Sequence, residues 1–178
     1  MRHAVSLALA ASLLTAVDAT ALEPTTVAES AVELKPGQIR RGKGRFAYEE
    51  TVLANGLRVI SLEDDSTPIA AVQLWYHVGS KDERPDRNGF AHMFEHMMFR
   101  GTEKLGNKEH FDYIRRTGGD CNAYTSFDQT VYVQEFPSNQ LEMVLWMEAE
   151  RMANLRVDEG GFATERDVVK EEGGPGLS

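Results

Sequence analysis

Gly89-Phe90-Ala91-His92-Met93-Phe94-Glu95-His96-Met97-Met98-Phe99-Arg100-Gly101 is the stretch on which the reading of this chain turns. Its residues are compatible with a helix, and its closing glycine can terminate one. Residues four apart on a helix lie about 40° apart around the axis and about 6 Å apart along it, so the imidazoles of His92 and His96 can reach one ion. Glu95 comes three residues after His92 and one before His96, which sets its carboxylate on the flank of the same face. Neutral imidazoles suit zinc, and a carboxylate beside a metal-held water can take its proton during attack on a carbonyl. By itself the triad also reads as two surface histidines and a solvated glutamate on an amphipathic helix.

The order His-x-x-Glu-His reverses the commoner His-Glu-x-x-His of zinc sites and marks the inverted class. Two imidazoles hold zinc weakly, so a third ligand is expected from elsewhere. Glu172 is the best candidate. Glu165 and Glu172 are seven apart, about two helical turns, so both carboxylates leave one face, whereas Glu171 points about 100° away. Glu165 then fits the role of orienting a ligand or accepting a histidine N–H. The bland alternative is that all three glutamates are ordinary surface charges.

Outward from the motif, the pattern is one of strands mixed with helices. Asn55-Gly56 between Thr51–Ala54 and Leu57–Leu62 predicts a β-hairpin. Residues 70–78 alternate, with Val72, Leu74, Tyr76 and Val78 on one face, as a half-buried strand does. A polar loop, 79–88, leads into the motif helix. Asn107 is the expected cap of a second helix that runs through Arg116, buries Phe111 and Ile114, and stops at Gly118-Gly119. Residues 121–125 and 130–136 read as strands bent around Ser126-Phe127-Asp128. An amphipathic helix follows from about Asn139 to Asn154, with Leu141, Val144, Leu145 and Met152 on its inner stripe, and a last helix starts near Phe162. Without regular βαβ alternation this order predicts an α+β fold: a mixed, largely antiparallel sheet with helices on one face and the metal on a helix.

The N-terminus reads as an export signal. Met1-Arg2-His3 precedes the apolar run Ala4–Val17 and an Ala-x-Ala site ending at Ala21, so residues 1–21 are expected to be cleaved and the protein to be periplasmic or secreted. The run is shorter than the roughly 20 residues that span a bilayer, so no stable membrane insertion is expected after cleavage. Residues 22–45 lack periodicity and read as a linker or disordered segment, with Arg40, Arg41, Lys43 and Arg45 solvated. The domain then runs from 46 to 178, in a chain of 178 residues with 42% apolar content and a formal charge of −9. That charge disfavours nucleic acid as a partner, which demands a basic stripe. Cys121 is the lone cysteine, so no internal disulfide forms, and a buried thiol is the simplest reading of it.

The stretch from Gly89 to Thr102 resembles the zinc helix of pitrilysin/insulinase-type peptidases, processing peptidases among them. Gly118-Gly119-Asp120-Cys121-Asn122-Ala123-Tyr124-Thr125 resembles the strand that pairs with bound peptide in that family, and Glu165-Arg166-Asp167-Val168-Val169-Lys170-Glu171-Glu172 its second metal-bearing helix. The resemblance implies that one zinc ion is bound by His92, His96 and Glu172. It implies further that Glu95 activates water, that Glu165 supports catalysis, and that Asn122 and Ala123 offer a strand edge to a peptide substrate. It also implies a second homologous domain or chain that closes over the substrate. Two glycines and a proline after Glu172 break the helix where the family continues it, so the domain reads as C-terminally truncated and incomplete. The expected activity is zinc-dependent hydrolysis of extended peptides or small unfolded proteins. The alternative is a non-catalytic peptide-binding partner subunit, against which an intact Glu95 argues. A lyase of S-ribosylhomocysteine, with cysteine as third ligand, fits neither the spacing of Cys121 nor the export signal.

Overall fold

The computed structural model describes residues 5–9, 34–42, 47–86 and 88–172 of the chain. Strands β1 (Val5–Leu9), β2 (Ile39–Arg41), β3 (Tyr48–Val52), β4 (Arg58–Glu63) and β5 (Ile69–Tyr76) precede helices α1 (Phe90–Met97) and α2 (Glu109–Arg116). Strands β6 (Asp120–Thr125) and β7 (Thr130–Pro137) and helices α3 (Leu141–Asn154) and α4 (Glu159–Glu172) follow. Among the described residues the strands form one seven-stranded sheet, ordered β2-β3-β4-β1-β5-β7-β6. All neighbours are antiparallel except β1 and β5, so the sheet is mixed and largely antiparallel, as expected of this α+β chain.

The predicted hairpin is β3–β4, in register from Tyr48 opposite Leu62 to Val52 opposite Arg58. Its turn closes with the Gly56 N–H donating to the Leu53 carbonyl at 2.9 Å, and Gly56 holds a φ of 88°, which glycine adopts without a Cβ penalty.

Pairing makes the sheet one-faced where it matters. Ala70, Val72 and Leu74 of β5 stand opposite Phe136, Gln134 and Tyr132 of β7, and the last two face Cys121 and Ala123 of β6. Residues paired across a sheet share a face. Ile114 of α2 and Val144 and Met147 of α3 join these side chains in the core, so both helices cover that face.

One buried charge is built into this core. Arg151 of α3, with 1% of its side chain exposed, pairs with Glu148 at 2.6 Å and lies over the rings of Tyr132 and Phe99 at 4.3 and 5.2 Å from their centroids. Glu148 also accepts from Gln134, whose amide oxygen in turn accepts from His110 at 3.0 Å.

Several expectations are corrected. Residues 39–41 of the supposed linker form β2, because the charges of Arg40 and Arg41 are met by Glu50 and Glu49 on β3. Val5–Leu9 lies between β4 and β5 in the uncleaved chain, which leaves the expected export signal standing as an expectation; residues 1–4 and 10–21, with the cleavage site, fall outside the described residues. Helix α1 ends at Met97 rather than Arg100, because the following turn tightens: Phe99 and Arg100 donate to His96 and Met97, both at 3.0 Å. Lys108, not Asn107, is the N-cap of α2, and Glu109 takes up the nearby Gly106 N–H at 2.7 Å. Met152 faces solvent with 44% exposure, because the inner stripe of α3 is completed by Glu148 and Arg151. Helix α4 starts at Glu159, before Phe162. No helix among the described residues is long and apolar enough to cross a membrane.

Candidate metal centre

Helix α1 is seated by Ala91, Met93 and Met97, all buried, which turns His92 and His96 toward α4. Its first turn is capped by a residue from the polar loop: Glu83 accepts from the Gly89 and Ala91 N–H groups, each at 2.8 Å. Those N–H groups have no partner inside the helix, and a carboxylate there also suits the helix dipole. Nothing in the spacing of the loop singled out Glu83.

Helix α4 crosses α1 so that Glu172 reaches both imidazoles. Glu172 Oε2 is 3.5 Å from His92 Nε2 and 3.4 Å from His96 Nε2, and the two Nε2 atoms are 3.2 Å apart. A tetrahedral zinc with bonds of about 2.0–2.1 Å holds its ligand atoms about 3.3–3.4 Å apart. The three atoms therefore already stand at the spacing of three corners of a zinc tetrahedron, and a cation between them would satisfy lone pairs that are unfavourable so close together. They are the one such histidine, cysteine or carboxylate group among the described residues. Glu171 takes no part in it.

Glu165 sits one layer out. Its Oε2 lies 3.1 Å from His96 Nδ1, which with the proton on Nδ1 leaves the Nε2 lone pair facing His92 and Glu172. Its Oε1 accepts from Arg100 at 3.1 Å. No spacing in the sequence marks Arg100, because its contact with α4 exists only through the fold.

Glu95 is 8% exposed, and its Oε2 accepts from the hydroxyl of Thr125 at 2.5 Å. Thr125 has one proton to give, and Thr130 opposite it spends its own on the Val78 carbonyl at 2.9 Å. The 3.3 Å contact between the two hydroxyls is therefore packing rather than a further hydrogen bond. Glu95 borders two cavities. One, of about 430 Å³, is walled by His96, Phe99, Asn122, Ala123 and Glu165. The other, of about 410 Å³, is apolar and walled by Tyr76, Phe90, Phe94, Met98 and Tyr132.

Asn122 and Ala123 lie on β6, at the end of the sheet among the described strands and beside His96. The Ala123 N–H donates to Asn122 Oδ1 at 2.9 Å. Cys121 points the other way, into the core, where burial pushes its thiol up to about 11, so it is remote in chemistry and direction from the imidazoles.

Residues 58–174 match the insulinase family model, peptidase family M16. The chain belongs to that family. A zinc protease PqqE of Helicobacter pylori is 39% identical over 126 residues, which cover 70% of this chain and 28% of that protein. A probable mitochondrial-processing peptidase subunit beta of Arabidopsis thaliana is 36% identical over 122 residues, 68% of this chain and 23% of that one. Among solved structures, a protease from Helicobacter pylori superposes with a TM-score of 0.66 at 38% identity, covering 70% of this chain and 30% of the other. Pitrilysin superposes with a TM-score of 0.66 at 26% identity, over 75% and 14%. The M16 chain described here thus spans about a quarter of the length of these curated relatives.

Proposed function

We propose that this chain carries the zinc-binding part of a metalloendopeptidase that hydrolyses extended peptides or small unfolded proteins. The supporting observation is the triangle of His92, His96 and Glu172, whose edges match tetrahedral zinc. One zinc ion, when bound there, supplies Lewis acidity for the peptide carbonyl and an acidified water.

The remaining chemistry belongs to side chains. Glu95, held by Thr125, takes the proton of the attacking water and later delivers it to the leaving amine. Glu165 keeps His96 in the ligating tautomer. The edge of β6 at Asn122 and Ala123 takes the substrate as an added strand, and the Asn122 amide swings off the Ala123 N–H to admit it. The cavity beside Phe99 and Ala123 then receives a side chain next to the scissile bond.

Because the chain spans about a quarter of its relatives, full activity is proposed to need a second homologous domain or chain closing over the peptide. An export signal at residues 1–21 would direct the protein to the periplasm or beyond, and its cleavage would remove the β1 strand that the uncleaved chain carries.

Metal analysis with cleavage of an internally quenched peptide tests the reading. One zinc per chain, and cleavage abolished by Glu95→Gln while zinc stays bound, is the expected result. Zinc bound with no cleavage, even when a second homologous domain is supplied, would favour a non-catalytic peptide-binding subunit. Absence of zinc binding would sink the proposal.

A further inference from the structure

We infer that Arg100 is a positioning residue of the metal site, acting through Glu165 on His96; this rests on the zinc reading above. Arg100 comes one turn beyond His96, where the chain leaves α1, and its Nη1 donates to Glu165 Oε1 at 3.1 Å. The other oxygen of Glu165 faces His96 Nδ1 at the same distance. One carboxylate is therefore divided between a permanent cation and a ligand imidazole. Both partners are largely buried, at 23% exposure for Arg100 and 14% for Glu165, so the geometry is not an exposed pair free to rearrange.

Arg100 also meets α4 a turn earlier. A Cβ on Gly161 would stand 3.4 Å from Arg100 Nε, an ordinary van der Waals distance, so the guanidinium runs alongside the first turn of α4. Arg100 thus touches α4 at Gly161 and Glu165, four residues apart on one face, and Glu172 lies two turns further along it. The Glu165 contact decides how the His96 ring is turned, and with it the direction of the Nε2 lone pair toward His92 and Glu172. Removing a partner outside the ligand set in this way typically weakens metal affinity about 10–100-fold.

The test compares the full chain with Arg100→Met, Arg100→Lys, Glu165→Gln and the Arg100→Met/Glu165→Gln pair. Zinc affinity is read by competition with a chromophoric chelator, and the His96 tautomer by ring nitrogen NMR of the metal-free chain. Arg100→Met is expected to weaken zinc binding about 10–100-fold. It is also expected to move His96 from the Nδ1–H form toward a tautomer mixture, with Arg100→Lys recovering part of both. The paired variant should bind zinc no worse than Glu165→Gln alone, since the arginine acts through that carboxylate. Unchanged affinity and tautomer in Arg100→Met, or additive losses in the pair, would overturn the inference. A tautomer change in a chain that binds no zinc would support the positioning role while overturning the metal reading.

Discussion

Thr125, the last residue of β6, donates its hydroxyl to Glu95 on α1 across 2.5 Å, so the end of the outer strand and the carboxylate of the motif helix are held by one bond. A hydrogen bond to a charged group contributes about 1.5–3 kcal/mol, or roughly a 10–100-fold effect when it is expressed in a rate. Thr125→Val should lower kcat by about that factor with zinc content unchanged, and Thr125→Ser should keep most of it. The measurement is steady-state cleavage of the quenched peptide by the zinc-loaded, cleavage-competent form. Equal rates for the valine and serine variants would show that the hydroxyl does not orient Glu95.

His110 couples stability to pH. Burial, assisted by the charge of Arg151, holds its imidazole below the usual histidine range. Its Nδ1 has no partner, while Nε2 donates to Gln134 at 3.0 Å. The folded chain therefore keeps His110 neutral where the unfolded chain, with a pKa of about 6.5, takes a proton. The unfolded state binds more protons, so stability falls as pH drops below about 6.5. Urea midpoints between pH 7.5 and 5.5 should decline in the parent chain and decline less in His110→Gln.

Arg151 and Glu148 form a buried pair. Arg151→Met leaves the Glu148 carboxylate without its cation, and breaking such a pair from one side costs about 3–5 kcal/mol. Adding Glu148→Leu removes the stranded charge and should return a good part of that loss. Equilibrium urea unfolding of the parent, single and double variants measures the coupling.

Deletion of residues 1–21 takes β1 away and bares the facing edges of β4 and β5. Open strand edges template pairing with other chains. The shortened protein should unfold at a lower temperature and associate as its concentration rises, in calorimetry and light scattering respectively. A monomer with an unchanged midpoint would show that Val5–Leu9 contributes nothing to the sheet.

Cys121, pushed up to about 11 by burial, should resist thiol reagents at pH 8 in the native chain and react at once in denaturant. Rapid native labelling would mean that the β6 face opens far more readily than its packing implies.

Much of the site was legible before the fold was known. His92, Glu95 and His96 share one helix face by arithmetic, and the seven-residue step from Glu165 to Glu172 set both carboxylates on another. Asn55-Gly56 and the alternation in β5 were equally local signals. What escaped was whatever one element does to another. Glu83, Arg100 and Thr125 lie 8, 65 and 30 residues from the atoms they hold, and none belongs to a spaced pattern. Arg40 and Arg41 read as linker because the matching glutamates belong to a neighbouring strand. Met152 read as core because apolar periodicity has no means of expecting a buried arginine in its place.

The chain's own order of residues determined the candidate ligand types, the helix that carries two of them, and the alternation that makes the sheet one-faced, because each depends only on helical or strand period over a few residues. Tertiary structure alone decided that α4 lies across α1 with Glu172 at 3.4–3.5 Å from both imidazoles, and that Thr125, Glu165 and Arg100 hold the groups around them. Those distances arise from how packed elements slide against one another, a quantity that no local repeat encodes.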